Sequence, residues 1–494
     1  MRWRGPCQQA PRLRLAVLLV ALVGALWALA TPLGGVPDEP AHVLYSAAVV
    51  RGQTGGGASG SDVEVPAGVA RVAQASCYAF RPAVTADCIA DVTGEPSPTA
   101  TVTSAARYPP LYYALVGWPT LLGFGETTWY LMRLLSVLLG AGLLLAGATA
   151  WRRDTAVLPV GVLLAVTPMA SFMQGAVNPN GVEILAGVAL VVGGTGVLDE
   201  ARAGGGLHLP RVLVALVLPA AYLCLARPGS FVLAVVLLGV LTVMALGQAR
   251  SLVRSGRVLA VAGGCALAAV PVAYVQSLLL RPVGAESATG SPLVASLAVV
   301  LAQLVGRTLE TVGYLGWRDH APPYALQLTW LALTSALLLA AWFVGRPIER
   351  CALLLLAVAG AVVVPAALVL TVFPGAVGYQ ARYAMAVLQP LPVLAAAVLA
   401  GTVARPDAVA LRVCAAVPVG TLALGLLALG GSVLRYAVGL PLPYDPLRVL
   451  AGWAWTPPPW PLLLVLLPAA GLVAWRLRTA VLADEPLPAP SMGR

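Results

Sequence analysis

The chain has 494 residues, of which 59% are hydrophobic and only 10% charged, with a formal net charge of +10. That balance, with long apolar runs recurring to the C-terminus, excludes a soluble enzyme and defines a polytopic membrane protein. All thirty basic residues are arginine, so there is no lysine for a phosphate-binding loop or a Schiff base, and no basic patch interleaved with aromatics that would mark a nucleic-acid partner.

Hydropathy predicts an all-α bundle of about twelve spans. They lie near 15–33, 128–150, 156–175, 180–198, 211–227, 229–247, 257–280, 324–344, 351–373, 384–402, 411–431 and 459–477. With residues 1–14 as a cytoplasmic leader, the segments "WRRD", "DEARAGGGLHLPR", "QARSLVRSGR", "GRPIER", "RPDAVALR" and "WRLR" all fall inside. This is the arginine bias of cytoplasmic loops, and it predicts cytoplasmic N- and C-termini, with 478–494 as an inner tail. The stretches 109–124 and 292–306 are short, and counting either alone as a span would turn every later arginine cluster outward. Both are therefore expected as interfacial or re-entrant helices. The organisation becomes a module over 15–402 with external segments 34–127 and 281–323, then C-terminal spans over 403–477.

Of seven cysteines, only Cys77 and Cys88 fall in an external loop. They either remain thiols or form a disulfide, which would contribute about 2 to 3 kcal/mol to that loop. No Cys/His cluster has zinc-site spacing. No acidic residue lies at the centre of a predicted span; Glu183 and Arg133 come nearest, both close to outer ends. An ion-coupled transporter would place ionisable groups at membrane depth, so the charge map disfavours one.

The first external segment opens with "VPDEPAHVLYSAAVV". Asp38 or Glu39 reads as the N-cap of a helix with Pro40 in its first turn. Asp38, His42 and Tyr45 then share one face, while Glu39 points elsewhere, to a metal or a supporting arginine. Tyr108, Tyr112 and Tyr113 flank "PP", and "GWAWTPPPWP" gathers tryptophans before the last span. Such aromatics form an interfacial belt or stack on sugar rings. The run 52–68 reads as a flexible Gly-rich loop.

These motifs carry a resemblance. A span followed by "PDEPAH", then "YPPLYYALVGWPTLLGFGETTWYLMRLLSVLLG", resembles the GT-C superfamily of polyprenyl-phosphate-dependent glycosyltransferases. With "NPNG" at 178–181 and "GYQARYAMAVLQPLPVL" at 378–394, the chain is also similar to the bacterial membrane family called domain of unknown function 2142, from about 15 to 400. Two departures stand out: Asn180 where that family has aspartate, and Ala381 where it has glycine.

The resemblance implies a glycosyltransferase that moves a sugar from a polyprenyl-phosphate donor to an envelope glycan or glycoconjugate acceptor at the outer face, with inversion. Asp38 and Glu39 would take the acceptor proton, and Arg107, Arg227 and Arg382 would hold the phosphate. His42, Tyr45, Tyr108, Asn178, Asn180, Gln380 and Tyr383 complete the expected substrate contacts. No cofactor is required; a divalent metal, if used, would fall to Asp38, Glu39 or His42. The bilayer, donor and acceptor are the expected partners. The alternative is a non-catalytic or transport component of envelope polysaccharide assembly, with the acids as helix caps.

Overall fold

The computed structural model describes residues 10 to 484, apart from 56, 58–59, 93–95, 205, most of 248–292, 373–377, 404–405 and 443–444. The span expected at 257–280 lies outside the described residues. Ten described helices are long and apolar enough to cross a membrane, and an eleventh span results if a pair bent by 67° counts as one. They are α1 (Pro11–Ala30), α4 (Glu126–Ala148), α7 (Pro179–Arg202), α8 (Leu209–Ala226), α10 (Leu293–Val312), α11 (Tyr324–Val344), α12 (Pro347–Leu370), α13 (Met385–Thr402), α14 (Ala408–Val438) and α15 (Trp460–Leu482). The bent pair is α5 (Val157–Ala165) and α6 (Pro168–Gln174). Between α8 and α10, α9 (Ser230–Leu246) is apolar but shorter.

Local chemistry starts these helices. Thr167 accepts from the Ala170 amide with Pro168 next in line, and Asn178 accepts from the Asn180 amide ahead of Pro179. Side-chain caps followed by proline are strong helix starts, and Pro168 also explains the bend, because it has no amide for the turn before it.

Helix α7 is the centre: its apolar window is wholly buried. Glycines permit this. A Cβ at Gly187 would collide with the Ala386 carbonyl, and one at Gly193 with that of Ala215. Small residues at such crossings let backbones touch, the main source of helix attraction in lipid.

The two ends of the bundle differ. At one end arginines meet acids between helices: Arg12 pairs with Asp154 and Asp484, Arg153 with Asp199, Arg152 and Arg211 with Glu200, and Arg202 and Arg346 with Glu349. The other end, the loop face, carries the segment between α1 and α4. It begins with α2 (Glu39–Val49). An antiparallel hairpin then pairs β1 (Asp62–Pro66) with β2 (Pro98–Val102), in register Asp62 to Val102. The Cys77–Cys88 disulfide closes the loop between the strands.

Two expectations need adjusting, the first at 52–68 and the second at 292–306, while 109–124 is a short element as expected. Part of 52–68 is strand β1, not flexible loop, because Gln53 hydrogen-bonds both the amide and carbonyl of Glu64 and extends the hairpin. The stretch 109–124 forms only α3 (Leu111–Gly117) and a 3-10 turn, too short to cross. The stretch 292–306, expected as an interfacial or re-entrant element, continues to Val312 as the 20-residue α10. The charges that ended the apolar run do not end the helix, because Arg307 binds Gln303 one turn back and Glu310 one turn on.

Candidate functional site

The adjacent acids of "PDEP" face opposite ways. Glu39 is fully buried against Arg133 of α4, which donates to both its oxygens at 2.7 Å. The Gly34 and Val177 amides and the Trp129 indole complete the shell. The remaining donors of Arg133 satisfy the carbonyls of Ala28, Thr31 and Pro32 at the end of α1. Glu39 thus has a supporting arginine and no open side.

Asp38 is left half exposed at 48%, its carboxylate 2.6 Å from an Nη of Arg382, whose side chain is 2% exposed. It occupies the N-cap position of α2 but makes no side-chain cap. Its φ of +68° lies in the left-handed region, which aspartate enters more readily than most side chains. The preceding loop holds that conformation from many directions. Tyr78 donates to the Leu33 carbonyl, Ser76 and Trp317 to that of Gly34, Tyr436 to that of Gly35 and Asn178 to that of Pro37. A conformation maintained so elaborately is a mark of functional positions.

Around Asp38 the expected residues converge. His42 shares a 2.9 Å hydrogen bond with the Tyr113 hydroxyl, and Tyr45 donates to the Tyr108 carbonyl at 3.1 Å. Burial, only partly opposed by Asp38, lowers the His42 pKa to about 3, so the imidazole is neutral. Arg227, at the end of α8, lies 5.9 Å from the Tyr108 ring and 5.1 Å from that of Tyr383. Arg227 pairs with Glu183 at 2.8 Å, and Glu183 also binds Asn180 and Ser230.

Burial pushes the Asp38 carboxyl up, but the Arg382 guanidinium, with Arg227 further off, outweighs it and holds the group below the usual carboxylate range. Arg382 itself is incompletely used. One Nη reaches Asp38 and, at 3.3 Å, the Tyr383 hydroxyl; the other finds only the Met173 sulfur at 4.0 Å; Nε has no hydrogen-bond partner among the described residues. The buried Asn180 Oδ1 also has none among them. A buried guanidinium with unused donors thus lies beside a half-exposed carboxylate.

Two expected residues stand apart: Arg107 donates to the Gly60 carbonyl within the hairpin segment, and Gln380 begins the 3-10 turn Ala381–Tyr383, its carbonyl accepting from the Tyr383 amide. Ala381 sits in that turn without positive φ, so its methyl is unstrained. The sequence reading gave no role to Glu183, Arg133 or Ser230. The signal was present, since Glu183 follows Asn180 by three residues, on one helix face.

The residues fit a metal poorly. Glu39 is saturated by donors, His42 is engaged with Tyr113, and two guanidinium groups flank the remaining carboxylate. Among the described residues no group of three His, Cys, Asp or Glu could hold a metal ion.

A bundle of this length and apolarity, with its polar cluster confined to one end, defines a multi-pass α-helical membrane protein. More particularly, the chain belongs to the family described as predicted membrane protein (DUF2142), which it matches over residues 20–391. That span includes Asp38, Asn180, Arg227 and Arg382. No curated protein matches the chain.

Proposed function

We propose that the protein is a membrane glycosyltransferase that moves a sugar from a polyprenyl-phosphate donor to a hydroxyl of an envelope glycan or glycoconjugate, at the outer face of a bacterial plasma membrane. The observation that carries this reading is the incompletely satisfied Arg382 beside Asp38. In the reaction the acceptor oxygen attacks the anomeric carbon opposite the phosphate. The bond from that carbon to the phosphate oxygen breaks, the electron pair leaves with the polyprenyl phosphate, and the hydroxyl proton passes to Asp38. Arg382 and Arg227 supply donors to the departing phosphate, for which planar forks are well suited.

The low Asp38 pKa gives this pairing a logic. Held by Arg382, the carboxylate is a weak base. A donor phosphate that takes over the guanidinium releases Asp38 from its partner, and its proton affinity rises only once the donor is in place. The Cys77–Cys88 disulfide supports an oxidising compartment for the loop face. The test supplies radiolabelled polyprenyl-phosphate sugars to membranes with wild type, Asp38→Asn or no protein. Label should move to acceptor only with wild type. Reporters fused after Arg107 and Asp319 should read external, and after Arg153 and Arg350 cytoplasmic; the reverse pattern sinks the outer-face assignment.

A further inference from the structure

Beside the anion site, the loop face displays an aromatic pair at an unusual structural cost. Phe80 is 73% exposed and adopts φ +58°, a conformation that side chains as bulky as phenylalanine rarely enter. Its ring packs edge-on against Trp317, with centroids 5.3 Å apart. The segments that present these rings are both fixed from below by the end of α14. Arg435, fully buried, donates to the carbonyls of Tyr78, Arg81 and Val84 in the disulfide-closed loop, and the Leu440 amide to that of Pro82. The same Arg435 grips one oxygen of Asp319, whose other oxygen binds His320, itself bonded to Ser432 of α14. Trp317 finally ties the pair to the loop bearing Asp38, through its indole N–H to the Gly34 carbonyl at 2.9 Å.

A phenyl ring that filled a core would justify this scaffolding by packing. Trp317 is half-buried against Tyr78, Tyr436 and Trp455, but the Phe80 ring stays exposed, so its gain comes from contact outside the chain. We propose that Phe80 and Trp317 form a stacking platform for pyranose rings of the acceptor glycan, which rests on the glycosyltransferase reading. Two rings match the apolar C–H face of one or two sugars and fall far short of the roughly 800 Å² per partner of a stable protein interface. The rim is polar, with Arg81, Thr85, Asp87 and Arg318 close in sequence to the two rings. Trp317 is bonded to Gly34, four residues before Asp38 in the same loop, so the platform is tied to the loop that carries the carboxylate.

The test measures binding without turnover. Full-length protein in nanodiscs is mixed with a panel of methyl pyranosides and short hexose, deoxyhexose and pentose oligomers, and saturation transfer to sugar C–H protons is read by NMR. At least one panel member should show transfer, weakened about fivefold or more in Phe80→Ala and kept in Phe80→Trp. Sugar binding by wild type, with no label moved to any acceptor in the radiolabel assay, would end the enzymatic reading and leave the platform standing. Phe80→Gly should lose the sugar signal while its melting temperature holds or rises, since glycine relieves the positive φ. Equal saturation transfer in Phe80→Ala, saturation transfer to no panel member, or brominated-lipid quenching of Phe80→Trp in excess of that of the wild type with its twelve tryptophans would each overturn the platform, the last by making Phe80 a membrane anchor.

Discussion

Asp38 and Glu39 are neighbours in sequence, identical in charge and each paired with a buried arginine, yet they stand at opposite extremes of satisfaction. Glu39 meets Arg133 bidentately inside a closed shell in which every donor of the guanidinium finds oxygen. Asp38 meets Arg382 through one nitrogen, half in the open, with donors left over. The same kind of ion pair is fully satisfied in one place and only partly satisfied in the other. What separates them is the positive φ at Asp38, which turns the two side chains to different sides of the chain.

The largest effect should come from breaking the closed pair. Arg133→Ala leaves a buried carboxylate and three carbonyls without partners, and should cost about 3 to 5 kcal/mol. In practice the protein should fail to accumulate, or melt far below wild type when detergent-purified. A melting temperature within a few degrees of wild type would remove the distinction between the pairs.

Asp38→Asn should do the reverse. Asparagine keeps an amide oxygen for the buried Arg382, so protein level should hold while transfer falls about 10² to 10⁴-fold. Full transfer in Asp38→Asn would deny it the role of base, and loss of protein would make it structural like Glu39.

A smaller effect is expected from Arg382→Lys. An ammonium keeps the charge but not the fork, so the donor concentration for half-maximal transfer should rise about 10-fold or more. Unchanged donor dependence would reduce Arg382 to a partner for Asp38.

The smallest effect is a shift in pH. Because the folded-state pKa of Asp38 is depressed, the stability from its pairing is present above the unfolded carboxyl value and is lost as pH falls through the lower folded one. The acid limb of Asp38 titration, followed by NMR of its labelled side chain, should move to higher pH in Arg382→Ala. No movement would mean that Arg382 does not hold the carboxylate.

Much of this site was legible in the sequence. His42 and Tyr45 share a helix face, both against Tyr113, because α-helical spacing demands it, and Arg227 and Arg382 lie where spans end. That Glu39 points away was also foreseeable, and Arg133 is the supporting arginine. The two roles could not be separated from residue types, since the left-handed φ at Asp38 is imposed by partners far along the chain. Helix α10 was misjudged because hydropathy scores Arg307 and Glu310 singly, whereas the fold pairs them. The Arg435 clamp was invisible for a similar reason: its meaning lies in the carbonyls of Tyr78, Arg81 and Val84, which carry no sequence signature.

The Tyr436 hydroxyl that holds the Gly35 carbonyl lies 401 residues downstream. In a membrane protein inserted as it is synthesised, the loop with Asp38 leaves the ribosome early and waits for nearly the whole chain before that bond can form. Arg435 is similarly late for the disulfide loop. Maturation of the loop face is thus gated by emergence of α14, and a nascent chain arrested before Arg435 should carry inserted helices beneath an unlocked loop, sensitive to added protease until translation resumes.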